Sequence, residues 1–226
     1  MQPEMNCPNC GALIGTGEPG LPVVTCGFCN SLLSKAGDAL SKVGEAGRVP
    51  FDVSPLQIGT RLTVEGTRGE IVGRERWAWE RGFWNEWLLQ FPNGSARWVA
   101  EEAGLYMIME EIEGQEDEIA NLAAIDVRTR SAMGAQIWIG GVLYTVSDMK
   151  VIRCVAVEGS LPHVIGADSA RESIDLRTIS RKAVTWQKDG SDQSLWRGAY
   201  YRLEDLAPSG LRSFEHWSAP AFEAAR

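Results

Sequence analysis

The sequence predicts a mostly-β protein: a cysteine ribbon at the N-terminus, a short helical linker, and two tandem small β-barrel-like meander units. Three observations predict it. Two C-x-x-C pairs open the chain, short alternating apolar runs punctuated by glycine turns fill residues 51–206, and one hairpin pattern recurs at an offset of 75.

Cys7-Pro8-Asn9-Cys10 is followed, after 15 residues, by Cys26-Gly27-Phe28-Cys29. Each pair suits a tight knuckle around half of a tetrahedral ion, so residues 1–33 read as a zinc ribbon with Cys7, Cys10, Cys26 and Cys29 holding a structural Zn2+. Gly11 and Asn30, each just after a knuckle, tolerate the positive φ such turns need. Four thiolates close the coordination shell, so the site implies folding and not catalysis. The ribbon and the β-units are expected to have separate cores. Residues 34–50 form the expected linker: Leu33, Ala36, Leu40 and Val43 fall at helical spacing, although Gly37, Gly44 and Gly47 weaken a helix.

The first β-unit is placed at 51–109. Leu62 and Val64 alternate, a turn follows, and Glu70-Ile71-Val72 returns; Trp77 and Trp79 alternate before Glu80-Arg81-Gly82, and Asn93-Gly94 marks a hairpin between Phe91 and Trp98. An acidic connector at 110–126 leads to the second unit at 127–206. There Met133-Gly134 matches Ile58-Gly59, Ile137 matches Leu62, Ile139 matches Val64, Gly141 matches Gly66, and Val146 matches Ile71. The segments Ile58–Val72 and Met133–Ser147 are therefore expected to superpose. An irregular insert, Glu158 to Ala170, interrupts the second copy. Cys154, within the apolar run Val151–Val157, reads as a core residue. Residues 207–226 form a tail in which Phe214, Trp217 and Phe222 stand out.

The net charge of −8 is uneven. Glu110, Glu111, Glu113, Glu116, Asp117, Glu118 and Asp126 place −7 in a segment with no basic residue. This segment reads as a solvated connector, or else a docking strip for a basic partner. No basic face offers counterion release, which disfavours nucleic-acid binding through the ribbon. No run approaches a membrane span, the N-terminus lacks signal-peptide regions, and paired thiols favour metal over disulfides, so the cytoplasm is the expected compartment.

Pro55-Leu56-Gln57-Ile58-Gly59-Thr60, Gly66, Ile71-Val72-Gly73 and the run Gly82-Phe83-Trp84-Asn85-Glu86-Trp87-Leu88-Leu89-Gln90-Phe91 with Asn93-Gly94 and Trp98-Val99 resemble a bacterial family known only as a domain of unknown function, number 4178. The resemblance covers about residues 1–206 and implies two copies of a small barrel-like domain behind a zinc ribbon. It carries no established activity. Family genes often neighbour those of stomatin-like membrane proteins and polyamine-synthase-like proteins, which implies a component of an envelope- or stress-associated assembly.

A hydrolytic site needs convergent groups, and the two histidines, His163 in the insert and His216 in the tail, read as solvated loop residues. The sequence therefore implies a non-enzymatic binding or scaffolding module with protein partners. Five tryptophans (Trp77, Trp79, Trp84, Trp87 and Trp98) exceed what one buried face of a small barrel holds. Trp77, Trp79 and Trp87 need not share a face with Trp84. Core and cross-strand packing is the first reading of these rings, and the functional one makes Trp84 and Glu86 the candidate interaction surface, on one face of their strand and opposite Trp87, with a polyamine as the alternative ligand through cation–π attraction.

Overall fold

The computed structural model describes residues 4–102, 104–165 and 169–216. The chain forms β1 (Glu4–Asn6), β2 (Leu13–Gly15), β3 (Val23–Thr25), β4 (Ser31–Ala36), β5 (Ala39–Glu45), β6 (Arg61–Val64), β7 (Thr67–Trp79), β8 (Gly82–Gln90), β9 (Ala96–Glu102) and β10 (Leu105–Glu111). Helix α1 (Glu116–Ala123) follows, then β11 (Gln136–Ile139), β12 (Val142–Leu161), β13 (Ala170–Arg177), β14 (Lys182–Asp189), β15 (Asp192–Tyr201) and a 3-10 turn at Leu203–Leu206.

The two meanders are present, and they repeat in detail. Arg61–Val64 pairs with Thr67–Glu70 as Gln136–Ile139 pairs with Val142–Thr145, in the same register. Both turns have positive φ at both central residues, Glu65-Gly66 and Gly140-Gly141, which suits the right-handed twist of a two-residue hairpin. The Gly59 N–H donates to Ile71 O at 2.8 Å, and the Gly134 N–H to Val146 O at 2.9 Å. Even the irregularity recurs, between Ile71 and Gly73 and between Val146 and Asp148.

The units do not close separately. β7 pairs with β12 and β10 pairs with β15, so the two four-stranded meanders complete a single closed eight-stranded barrel. Closure removes the sheet edges that each meander would otherwise expose. Both seams need glycine: a Cβ at Gly73 would strike Ser160 O, one at Gly159 would strike Val72 O, and one at Gly198 would strike Ile108 O.

Alternation then divides the side chains. Odd residues of β8 face outward into a core of Leu62, Ile71, Trp87, Leu89 and Ile108; the equivalent outer core of the second unit holds Ile139, Val146, Ile174, Val184 and Trp186. Each outer core is sealed by the segment that leaves the other meander. Leu122 of α1, after the first unit, is buried in the second unit's core, and Leu206, after the second, is buried in the first's. The acidic connector is thus more than a solvated link, because its helix buries an apolar face. The tail also packs back: Arg61 and Ser209 exchange backbone hydrogen bonds of 2.9 and 3.0 Å, and the Arg212 N–H donates to Pro55 O at 2.7 Å. Trp217 and Phe222 lie outside the described residues.

Two expectations are corrected. Residues 34–50 contain no helix; β4 and β5 form a hairpin whose turn residue Gly37 has φ of 58°. The glycines that weaken a helix there serve a turn and, at Gly47, a close approach to Val155 O. Nor is the ribbon's core fully separate. Cys7, Ile14, Val24, Cys26 and Leu33 pack together, but Leu21, Val23, Leu32 and Ala46 join the core inside the barrel. The long β12 carries the junction, its last residues Ser160 and Leu161 pairing with Val24 and Val23. No helix of the described residues is long and apolar enough to cross a membrane.

Candidate functional site

The ribbon builds its cysteine cluster from two matching turns. The Gly11 N–H donates to Cys7 O at 2.8 Å and the Asn30 N–H to Cys26 O at 2.9 Å, with φ of 76° and 56° at the two turn residues. The expected roles of Gly11 and Asn30 match this geometry. All four sulfurs lie within 4.8 Å of one another, and Cys7–Cys29 and Cys10–Cys26 are each 3.8 Å apart. A tetrahedron with metal–sulfur bonds of ~2.3 Å has edges of ~3.8 Å, so the cluster fits a four-coordinate metal ion. Cys29 Sγ lies 3.2 Å from Ser31 Oγ; that hydroxyl foremost, with Asn9 and the Ser31 backbone, brings the Cys29 thiol down to about 5, while the thiol of Cys10 in the same cluster is pushed up to about 12.

The second concentration of chemistry is the barrel's lumen. Glu75 and Trp77 of β7 face inward with Trp84 and Glu86 of β8, and the latter two join Lys150 of β12 and Asp175 of β13 around a cavity of only about 40 Å³ lined by both units. Trp84 and Glu86 do share a face, with Trp87 on the other, and the Trp84 Nε1–H donates to Glu86 Oε1 at 3.0 Å. They form an inner surface between the units, not an outer one, and Glu86 is buried. The antiparallel register pairs Trp77 with Trp84, so these two share the lumen.

The cation for the aromatic–acidic pair is supplied by the chain. Lys150 Nζ stands 4.6 Å above the Trp84 ring and 5.8 Å from that of Trp79, with Asp148 at 2.8 Å and Asp175 at 3.5 Å. Arg171 likewise covers Trp77 at 4.9 Å and donates to Gln187 Oε1 at 3.2 Å. Outside the barrel, Arg74 covers Trp87 at 4.7 Å and pairs with the largely covered side chain of Asp52, which also meets Arg76 at 3.5 Å and Arg212 at 2.9 Å.

Sequence reasoning missed Glu75, Lys150, Arg171 and the place of His163. The His163 Nε2 lies 3.0 Å from Glu75 Oε1 without a hydrogen bond between them, and Glu75 Oε2 accepts from the Trp77 Nε1–H at 3.1 Å, so the insert lies against the barrel. A carboxylate alternating with tryptophan in Glu75-Arg76-Trp77 was the available signal. Burial foremost, with the charge of Glu75 next, raises the Glu86 carboxyl to about 7, although the Trp84 hydrogen bond and Arg171 oppose the rise. Cys154 is fully buried, and burial pushes its thiol to about 12, as suits a core residue.

A cysteine-cluster ribbon welded to a closed two-repeat β-barrel is the class that this fold and site define. The chain belongs to the family described as Domain of unknown function (DUF4178), whose profile matches residues 57–204. One match spans both meanders and leaves out the ribbon, so the family's domain is the whole barrel rather than one of two copies. Comparison with curated proteins and with solved structures finds no match.

Proposed function

We propose that the protein is a non-enzymatic binding or scaffolding module of a multi-protein assembly, with zinc as the structural ion of its ribbon. The observation that carries this reading is the nearly filled interior. The lumen holds a cavity of about 40 Å³, and its lysine and arginine already cover its own tryptophans. A four-thiolate centre has no open position for a substrate. Ligand recognition then falls to the outside, where Phe28 on the second knuckle and Trp138 on β11 are 74% and 65% exposed. The family resemblance supports a cytoplasmic or envelope-linked bacterial setting. Purification of the tagged chain from its native cells tests the reading: a stoichiometric protein partner is expected, and a chain that purifies alone with its metal would oppose it.

A second reading has one observation in its favour. Beside Pro162 and His163 lies a cleft of about 570 Å³, lined by Trp98 and Trp196 with Glu111, Asp189 and Asp192, of which Asp189 is paired with Arg171 at 3.4 Å. Such a cleft suits a polyamine, whereas the Trp84 ring already has Lys150 over it. Calorimetric titration with spermidine tests it; absence of heat at millimolar concentration would remove it. Nucleic-acid binding through the ribbon remains disfavoured by charge.

A further inference from the structure

The internal repeat gives the second hairpin a built-in control. At the core-facing positions the two hairpins agree: Leu62 and Val64 in the first, Ile137 and Ile139 in the second. At the outward cross-strand pair they differ. The first hairpin carries Thr63 opposite Arg68, and the second carries Trp138 opposite Leu143, 65% and 37% exposed. The same fold in the same register is thus built with a polar outer pair, so the fold does not require the apolar one. The exposed Met133 does not distinguish them, because its equivalent Ile58 is exposed to the same degree.

The backbone differs in the same place. In a two-residue hairpin the pair flanking the turn is hydrogen-bonded and pairs alternate from there, so the N–H and C=O of Arg61 and Thr63, and those of Gln136 and Trp138, point away from the partner strand. In the first unit Ser209 takes up both Arg61 groups. Among the described residues β11 pairs with β12 alone, and the equivalent groups of Gln136 have no backbone partner. An open edge beside an exposed tryptophan is a template for an added strand.

Charge selects the occupant. α1 shares the second unit's outer core with β11, and Gln115, just before it, sits against the Gly140 turn. The −7 segment therefore flanks this hairpin, with Glu113, Glu116, Asp117 and Asp126 exposed. Of the cations near it, Arg128 and Arg130 are paired with Glu172 and Asp148, and Arg97 and Arg197 with Glu110, while Lys182 lines the same pocket as Gly140 and Val142; the exposed carboxylates of α1 and its flanks outnumber it. A second copy of the chain would bring two such segments together, and their repulsion argues against it.

We infer that the open edge of β11 docks an extended, basic segment of a partner protein, which adds as a strand with an apolar side chain on Trp138 and Leu143 and lysine or arginine toward the acidic segment. This inference deepens the reading of the protein as a protein-binding module and rests on it. The test is selection of a displayed random dodecamer library on the full chain, followed by affinity measurement on two variants. Trp138→Thr with Leu143→Arg installs the outer pair of the first hairpin. Gln136→Pro removes an outward N–H at an edge position where proline is tolerated. Circular dichroism and melting verify that both fold. The expected result is enrichment of peptides alternating apolar and basic residues, bound at least tenfold more weakly by each variant and weakened by salt. Peptides that bind both variants undiminished, enriched acidic peptides, no enrichment, or self-association abolished by the variants would each overturn the edge inference. Binding that survives at another surface would leave the broader reading standing, whereas the lack of any partner in native purification would remove that reading instead.

Discussion

Replacing Glu86 with glutamine isolates the electrostatic strain of the lumen. The amide keeps an oxygen to accept from the Trp84 Nε1–H and removes the charge that burial and Glu75 oppose. The sign follows from linkage. The folded carboxyl titrates at about 7 against an ordinary 4.5, so between these values the folded state binds more protons and native stability falls as pH rises. At ~1.4 kcal/mol per pH unit the full penalty is roughly 3 kcal/mol, reached above pH 7. Glu86→Gln should therefore gain about 2 to 3 kcal/mol over the wild type between pH 5 and pH 8, or roughly 5–10 °C in melting temperature. Urea denaturation of both proteins across that range measures it. Glu75→Gln should bring the Glu86 carboxyl back toward its ordinary range and shrink the difference. Parallel pH profiles for wild type and Glu86→Gln would refute the reasoning, because they would mean that Glu86 stays hydrated in the fold.

Gly198→Ala should destabilise the barrel by about 2–4 kcal/mol in denaturant titration, because the added methyl meets the Ile108 carbonyl across the β10–β15 seam. Leu206→Ala should lower stability by about 2–5 kcal/mol through the first unit's core, although residue 206 follows the second unit; a loss under 1 kcal/mol would contradict the exchanged caps. Cys26→Ser, or chelation, should lower the single melting transition of the whole chain, since Leu21, Val23 and Leu32 pack inside the barrel; an unchanged barrel transition in calorimetry would show the ribbon to be independent.

The parts legible in the sequence are those that local pattern fixes. The knuckles follow from cysteine spacing, and the hairpins follow from alternation plus the turn glycines Gly66 and Gly141, which is why the offset of 75 survives into matching registers. Barrel closure was not legible, because the β7–β12 and β10–β15 seams join residues roughly 75 to 95 apart and leave no local signature. The helical spacing of Leu33, Ala36, Leu40 and Val43 misled for a related reason: a two-residue turn at Gly37 and an irregularity between Leu32 and Leu33 rephase a strand pattern into an apparent helical one. Trp84 and Glu86 were placed on the correct face, but parity cannot say whether a face looks into a lumen or out to solvent. The cations that answer them, Lys150 over Trp84 and Arg171 acting on Glu86, both come from the opposite meander.

The most direct test of the account places a photoreactive phenylalanine analogue at position 138 in one variant and at the equivalent position 63 in another, with irradiation in the native cells. A covalent adduct is expected at 138, and not at 63, with one protein joined through an extended basic segment. Equal labelling at both positions, or no adduct at 138, would contradict it.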